Sequence, residues 1–172
     1  EKPEVIGMSI GGANGTELAQ ATTDVAALKN AYRSVVDAYA LTSVDFDIEG
    51  GAVADQGSVD RRSQALAALQ RDLAAIGKNL SIWLTLPVLP TGLTNDGVYV
   101  VQSAQRYGVQ LAGVNVMAMD YGDYAAPNPS GRMGDYAIQA ATSTFNQLRG
   151  VYGSTRTDTQ LWSMVGVTPM IG

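Results

Sequence analysis

The chain has 172 residues, a formal net charge of −5, and neither Cys nor His. At 46% hydrophobic and 16% charged it is too apolar for a disordered chain and long enough to bury a core. The missing Cys and His exclude thiol nucleophiles, Ser-His-Asp triads, disulfides and the usual zinc sites.

In chain order, Glu4–Ile10 reads as a first buried strand running into Gly11-Gly12. Leu18–Tyr39 follows with helical spacing, its Leu18, Val25, Leu28, Tyr32, Val35 and Val36 near one stripe. Val44–Ile48 is a second strand. Arg61–Ile76 is a second helix, stopped at Gly77. Leu80–Val88 is a third strand, Gly97–Tyr107 a helix stopped at Gly108, and Val114–Met119 a fourth strand. Tyr136–Leu148 is a helix, and Leu161–Thr168 reads as the fifth strand.

Strands alternating with helices predict a parallel α/β sheet. No composition break divides the chain, so residues 1–172 read as one domain. A barrel and an open doubly wound sheet compete. The loop Gly11-Gly12-Ala13-Asn14-Gly15 is not G-x-G-x-x-G, and no phosphate-binding Lys follows it. Polar residues gather where strands end: Ser9, Asp47, Glu49, Asp120, Tyr121 and Thr168. In a (β/α)8 barrel that rim carries the active site, which favours the barrel.

The acidic pI near 4.5 argues against a nucleic-acid partner. The apolar runs fall short of the ~20 residues of a membrane span. Glu1-Lys2-Pro3-Glu4 is no signal peptide, so any targeting segment is expected to be absent already.

The most informative run is Ser43-Val44-Asp45-Phe46-Asp47-Ile48-Glu49-Gly50. A strand has period two, so Asp45, Asp47 and Glu49 share one face and Val44, Phe46 and Ile48 the other. A solvated strand face would explain the alternation on a one-sided antiparallel sheet. It fits poorly where a parallel sheet is covered on both faces. Three carboxylates also suit Mg2+ or Ca2+, with Asp120 and Asn115 the only further ligands on offer. The third reading is acid catalysis. Crowded like charges raise the proton affinity of one member, and Glu49, outermost, is best placed to act as a general acid.

At this strand the sequence resembles the family 18 glycoside hydrolases, the chitinase family. Their D-x-x-D-x-D-x-E motif is matched by Thr42 through Glu49, with Thr42 in place of the first Asp. Ser9-Ile10-Gly11-Gly12 resembles their S-x-G-G segment. Met117-Ala118-Met119-Asp120-Tyr121 resembles M-x-Y-D-Y, with Met119 in place of the Tyr. The runs Val114–Asp123 and Val165–Gly172 resemble the bacterial branch of the family.

The resemblance implies retaining hydrolysis of β-1,4-linked N-acetylglucosamine polymers, assisted by the substrate itself. Glu49 is the implied general acid and base. Asp47 bonds the acetamido N–H, and Asp45 tunes Asp47. Tyr121, expected on the same strand face as Met119, orients the acetamido oxygen. Asp120, Met117 and Met119 are the implied sugar contacts. No cofactor or metal is needed, chitin or chito-oligosaccharides are the partners, and secretion follows from an extracellular substrate. Trp83 and Trp162, read as mid-strand, are expected to pack in the core.

Two rivals remain open. A lectin-like binding protein on the same fold commonly lacks the terminal Glu, which is present here. An endo-β-N-acetylglucosaminidase acting on N-glycans would differ in its loop aromatics. The motif order makes the five strands the third to seventh of a (β/α)8 TIM barrel. The chain therefore reads as an incomplete segment whose end strands need the rest of the barrel.

Overall fold

A computed structural model describes residues 7–170. The first strand, β1 (Gly7–Gly11), is followed by α1 (Leu18–Ala21) and α2 (Val25–Ala38). The first part of the strand expected at Glu4–Ile10 lies outside the described residues. The single helix expected over Leu18–Tyr39 is two helices. The break falls at Thr22-Thr23-Asp24, where the Asp24 carboxylate accepts from the Ala27 N–H at 2.7 Å. An Asp caps a helix start better than it sits inside one, so capping overrides the apolar stripe.

Next come β2 (Ser43–Asp47), a short α3 (Gly51–Ala54) and α4 (Gln56–Ala74). Then follow β3 (Ser81–Leu89), the two-residue β4 (Gly92–Leu93) and α5 (Asn95–Tyr107). Thr94 caps α5 at its start, and Gly108 closes it in the left-handed region at φ 82°. The chain ends with β5 (Leu111–Ala118), α6 (Gly122–Ala125), α7 (Met133–Tyr152), α8 (Asp158–Ser163) and β6 (Val165–Pro169).

Leu161–Ser163 was expected as strand and is helix. Thr157 and Gln160 form a reciprocal capping box that starts α8, and only Val165 onward is extended. A short apolar run fits a buried strand or a buried helix turn equally well. Trp162 accordingly sits on α8, 46% exposed and stacked on Phe145 at 4.3 Å, and not in the core.

Strands β1, β2, β3, β5 and β6 pair in that order, each parallel to the next. The order never reverses, so the sheet has no switch point of the doubly wound kind. Helix α2 packs on α4, α4 on α5 and α5 on α7, in one continuous layer. Beneath it lie Val44, Phe46, Ile82, Leu84, Leu86, Val114 and Val116, all buried. The alternate residues, Ser9, Asp45, Asp47, Trp83, Asn115 and Met117, are half-buried or exposed on the opposite face. The fold is thus mixed α/β with a parallel sheet. No helix among the described residues is long and apolar enough to cross a membrane.

Candidate active site

Register decides which polar residues meet. Ser9 pairs with Asp45 and Asp45 with Trp83; Gly11 pairs with Asp47, Asp47 with Thr85, and Thr85 with Asn115. Because these positions share parity, one acid-bearing row crosses the sheet on the face away from the helices.

Asp45 is well satisfied. Ser9 Oγ donates to one carboxylate oxygen at 2.7 Å and Thr85 Oγ1 to the other at 2.8 Å. Asp47 is not. Its Oδ1 is buried without a hydrogen-bond partner. Burial first, then the charges of Glu49 and Asp45, push its carboxyl up to about 6. Strand β2 stops at Asp47, but the Ile48 N–H still donates to the Thr85 carbonyl at 3.0 Å. That extra rung carries Glu49 to the rim.

Two glycines allow β1 to approach. A Cβ on Gly11, at φ 122°, would collide with the Asp47 carbonyl oxygen. The Gly12 N–H donates to that same oxygen at 2.9 Å.

Glu49 opens on a pocket of about 300 Å³ whose lining includes Met117, Met119 and Asp120. The structure therefore brings together Glu49 and the three expected sugar contacts. The far wall, Val88, Leu89 and Thr94, belongs to a hairpin that sequence reading missed. Gln147 on α7 clamps it, bonding Leu93 N at 2.8 Å and Leu93 O at 2.9 Å. The Pro90-Thr91-Gly92 turn was its one local signal. On the other side of Asp47 and Glu49 lies a smaller cavity of about 120 Å³, bordered by Gly12, Gly15 and Glu17.

Tyr121 departs from expectation. Strand β5 ends at Ala118, and Asp120 turns at φ 48°, so strand parity does not extend to Tyr121. It is not among the residues lining the Glu49 pocket. Its ring meets Tyr136 edge-on at 6.2 Å, and burial raises its hydroxyl, which has no partner. Trp83 lies on the acid-bearing face, packed over Gly113. Thr168 is expected at the rim and Asn115 as a possible ligand, but Thr85 and the hydrogen bonds that join the three were missed. Their only signal was polarity at strand positions of the right parity. Among the described residues, no three or more acids are grouped so that they could hold a metal ion.

No protein-family model matches the chain. It is 43% identical over 169 residues to a probable bifunctional chitinase/lysozyme of Escherichia coli (strain K12). The match covers 96% of this chain and 19% of that protein. Endochitinase 11 of Metarhizium anisopliae is also 43% identical, with 96% of this chain and 32% of that protein covered. Among solved structures, catalytic-site mutants of active domain 2 of a Pyrococcus furiosus chitinase superpose with a TM-score of 0.82 at 33% identity. That match covers 96% of this chain and 50% of the other. A form of that domain complexed with chito-oligosaccharides gives the same values. The chain is thus chitinase-like over nearly its whole length and spans at most half of these relatives.

Proposed function

We propose that the chain carries the acid end of a chitinase-type glycosidase site of the family 18 kind, on part of a (β/α)8 barrel. The observation that carries the reading is the row Asp45, Asp47, Glu49, with Glu49 facing the pocket of Met117, Met119 and Asp120. The chitinase relatives, one of them solved with chito-oligosaccharides, support the substrate class. The unreversed strand order supports the barrel.

In this reading Glu49 protonates the glycosidic oxygen and the sugar's 2-acetamido carbonyl attacks its own anomeric carbon. Asp47 accepts from the acetamido N–H and offsets the positive charge of the resulting oxazolinium ring. That its buried Oδ1 has no partner within the protein supports this role. Glu49, now deprotonated, activates the water that opens the ring, and configuration is retained. Polymeric chitin stays outside cells, so the protein that carries the site is one that is secreted.

The test is chito-oligosaccharide hydrolysis by the whole catalytic domain that carries this chain, native and with Glu49→Gln. Removing the general acid lowers kcat by roughly 10²–10⁴-fold. Equal rates in both proteins overturn the proposal. Efficient cleavage of fully deacetylated chitosan would remove the assisted mechanism, because that substrate lacks the internal nucleophile.

A further inference from the structure

Strand β3 runs past its neighbours. It pairs with β2 as far as Thr85 and with β5 as far as Pro87. Among the described residues, Val88 and Leu89 pair only with the two-residue β4. By strand parity Leu89 follows Trp83, Thr85 and Pro87 on the acid-bearing face. It is 36% exposed and lines the Glu49 pocket with Met117 and Met119. We propose that Leu89 is a substrate-contact residue, and that Gln147 and Ser143 of α7 are positioning residues that hold it in the pocket wall. This rests on the glycosidase reading of the same pocket.

The overhang needs support from outside the sheet, because a two-stranded hairpin alone is marginal in water. Helix α7 supplies it. The Gln147 amide meets both backbone groups of Leu93: Oε1 accepts from the N–H at 2.8 Å, and Nε2 donates to the carbonyl at 2.9 Å. One side-chain amide thus stands in for a further strand, pairing a backbone N–H and C=O at once. Ser143, one turn earlier on α7, donates to the Pro90 carbonyl at 3.0 Å. Both ends of the Pro90–Leu93 segment are tied to one helix. Gly92 leaves room for this, since its φ is 109° and a Cβ there would collide with the Gln147 amide. Helix α7 is itself fixed, with Ala140, Thr144, Phe145 and Leu148 buried. Leu93 is buried too, so water replaces its bonds poorly.

The wall suits a sugar ring. Leu89, Met117 and Met119 are apolar, while Glu49, Thr94 and Asp120 bring oxygen atoms to the same lining. A pyranose presents C–H groups on its faces and hydroxyls around its edge. Apolar side chains match the faces and oxygens the edge, as small-molecule sites usually combine them. Pro87 and Met117 are set by the parallel ladder. Leu89 lies beyond that ladder, so its place depends on the clamp.

The experiment uses the whole catalytic domain that carries this chain, in the Glu49→Gln background to prevent turnover. Calorimetry measures the Kd of a chito-oligosaccharide. Leu89→Ala is expected to raise Kd about tenfold. Gln147→Met keeps a side chain of similar length without its two bonds, and is expected to raise Kd about fivefold. The double variant should stay near tenfold, because the clamp acts through Leu89. A rise of about fiftyfold would mean independent effects and overturn the positioning role. A lowered melting temperature with unchanged Kd would make Gln147 a fastener only and overturn it as well. Unchanged Kd in Leu89→Ala overturns the contact. Should Gln147→Met not fold, Ser143→Ala enters the same cycle, with about a twofold effect that vanishes in the Leu89→Ala background. With Glu49 restored, KM rises in the same order at unchanged kcat, and a fall confined to kcat would overturn the binding role. Binding without hydrolysis by the native domain sinks the glycosidase reading and leaves the wall standing. Absence of binding before any wall substitution overturns both.

Discussion

Two acidic centres in this molecule have opposite surroundings. Between α4 and α5, Asp60 accepts from Ser103 Oγ at 2.7 Å, Arg106 Nη2 at 2.9 Å and the hydroxyls of Tyr99 and Tyr107. Four side chains donate to it, and Arg106 also lies over both tyrosine rings. On the sheet, Asp47 has two acids for neighbours and an oxygen that nothing meets. The first arrangement locks two helices together. The second leaves a carboxylate raised in energy with a buried oxygen unpaired, which is how groups that act on a substrate are often held.

The comparison is broken most severely at Asp47. Asp47→Asn is expected to lower kcat on chito-oligosaccharides by roughly 10³-fold, and Asp45→Asn by roughly tenfold, because only Asp47 has a free acceptor. Steady-state kinetics of both variants check this. The reverse order would exchange the two roles.

A buried pair sharpens the contrast from the stability side. Arg62 is 2% exposed and meets Glu17 at 2.9 Å, with Tyr32 alongside. Arg62→Met strands the Glu17 carboxylate and should cost about 3 kcal/mol in urea unfolding.

Asp60→Asn should cost about 1 kcal/mol, since one charge-assisted bond weakens while the others persist. Its kcat should stay within about twofold of native. A larger catalytic loss would mean that Asp60 is more than a fastener.

The smallest effect is on pH dependence. Asp47 holds its proton to about 6 in the folded state against 3.8 when unfolded, so between those values the folded state binds more protons. The stability this group contributes is complete below about pH 4 and is lost as pH rises through 6. Asp47→Asn should therefore stabilise the protein at pH 7 by roughly 1 kcal/mol, well under the full linkage value because water still reaches the carboxylate. Melting temperatures of both proteins from pH 4 to pH 8 measure it.

Local sequence determined a good deal. Period-two alternation placed Asp45 and Asp47 on one face, because side chains of a strand point alternately whatever surrounds it. Gly11 stands where β1 closes on the acids, and a Cβ there would collide with the Asp47 carbonyl oxygen. Gly108 marked a helix end for the same backbone reason. What failed locally failed for want of context. Leu161-Trp162-Ser163 fits strand or helix until the Thr157–Gln160 box decides. Tyr121 loses its strand parity to the turn at Asp120. The wall at Val88–Leu93 depends on Gln147, far along the chain. The hydrogen bonds that join Thr85, Asn115 and Thr168 depend on register between parallel strands. Whole crossover helices and their packing set that register, and no spacing within a single strand records it.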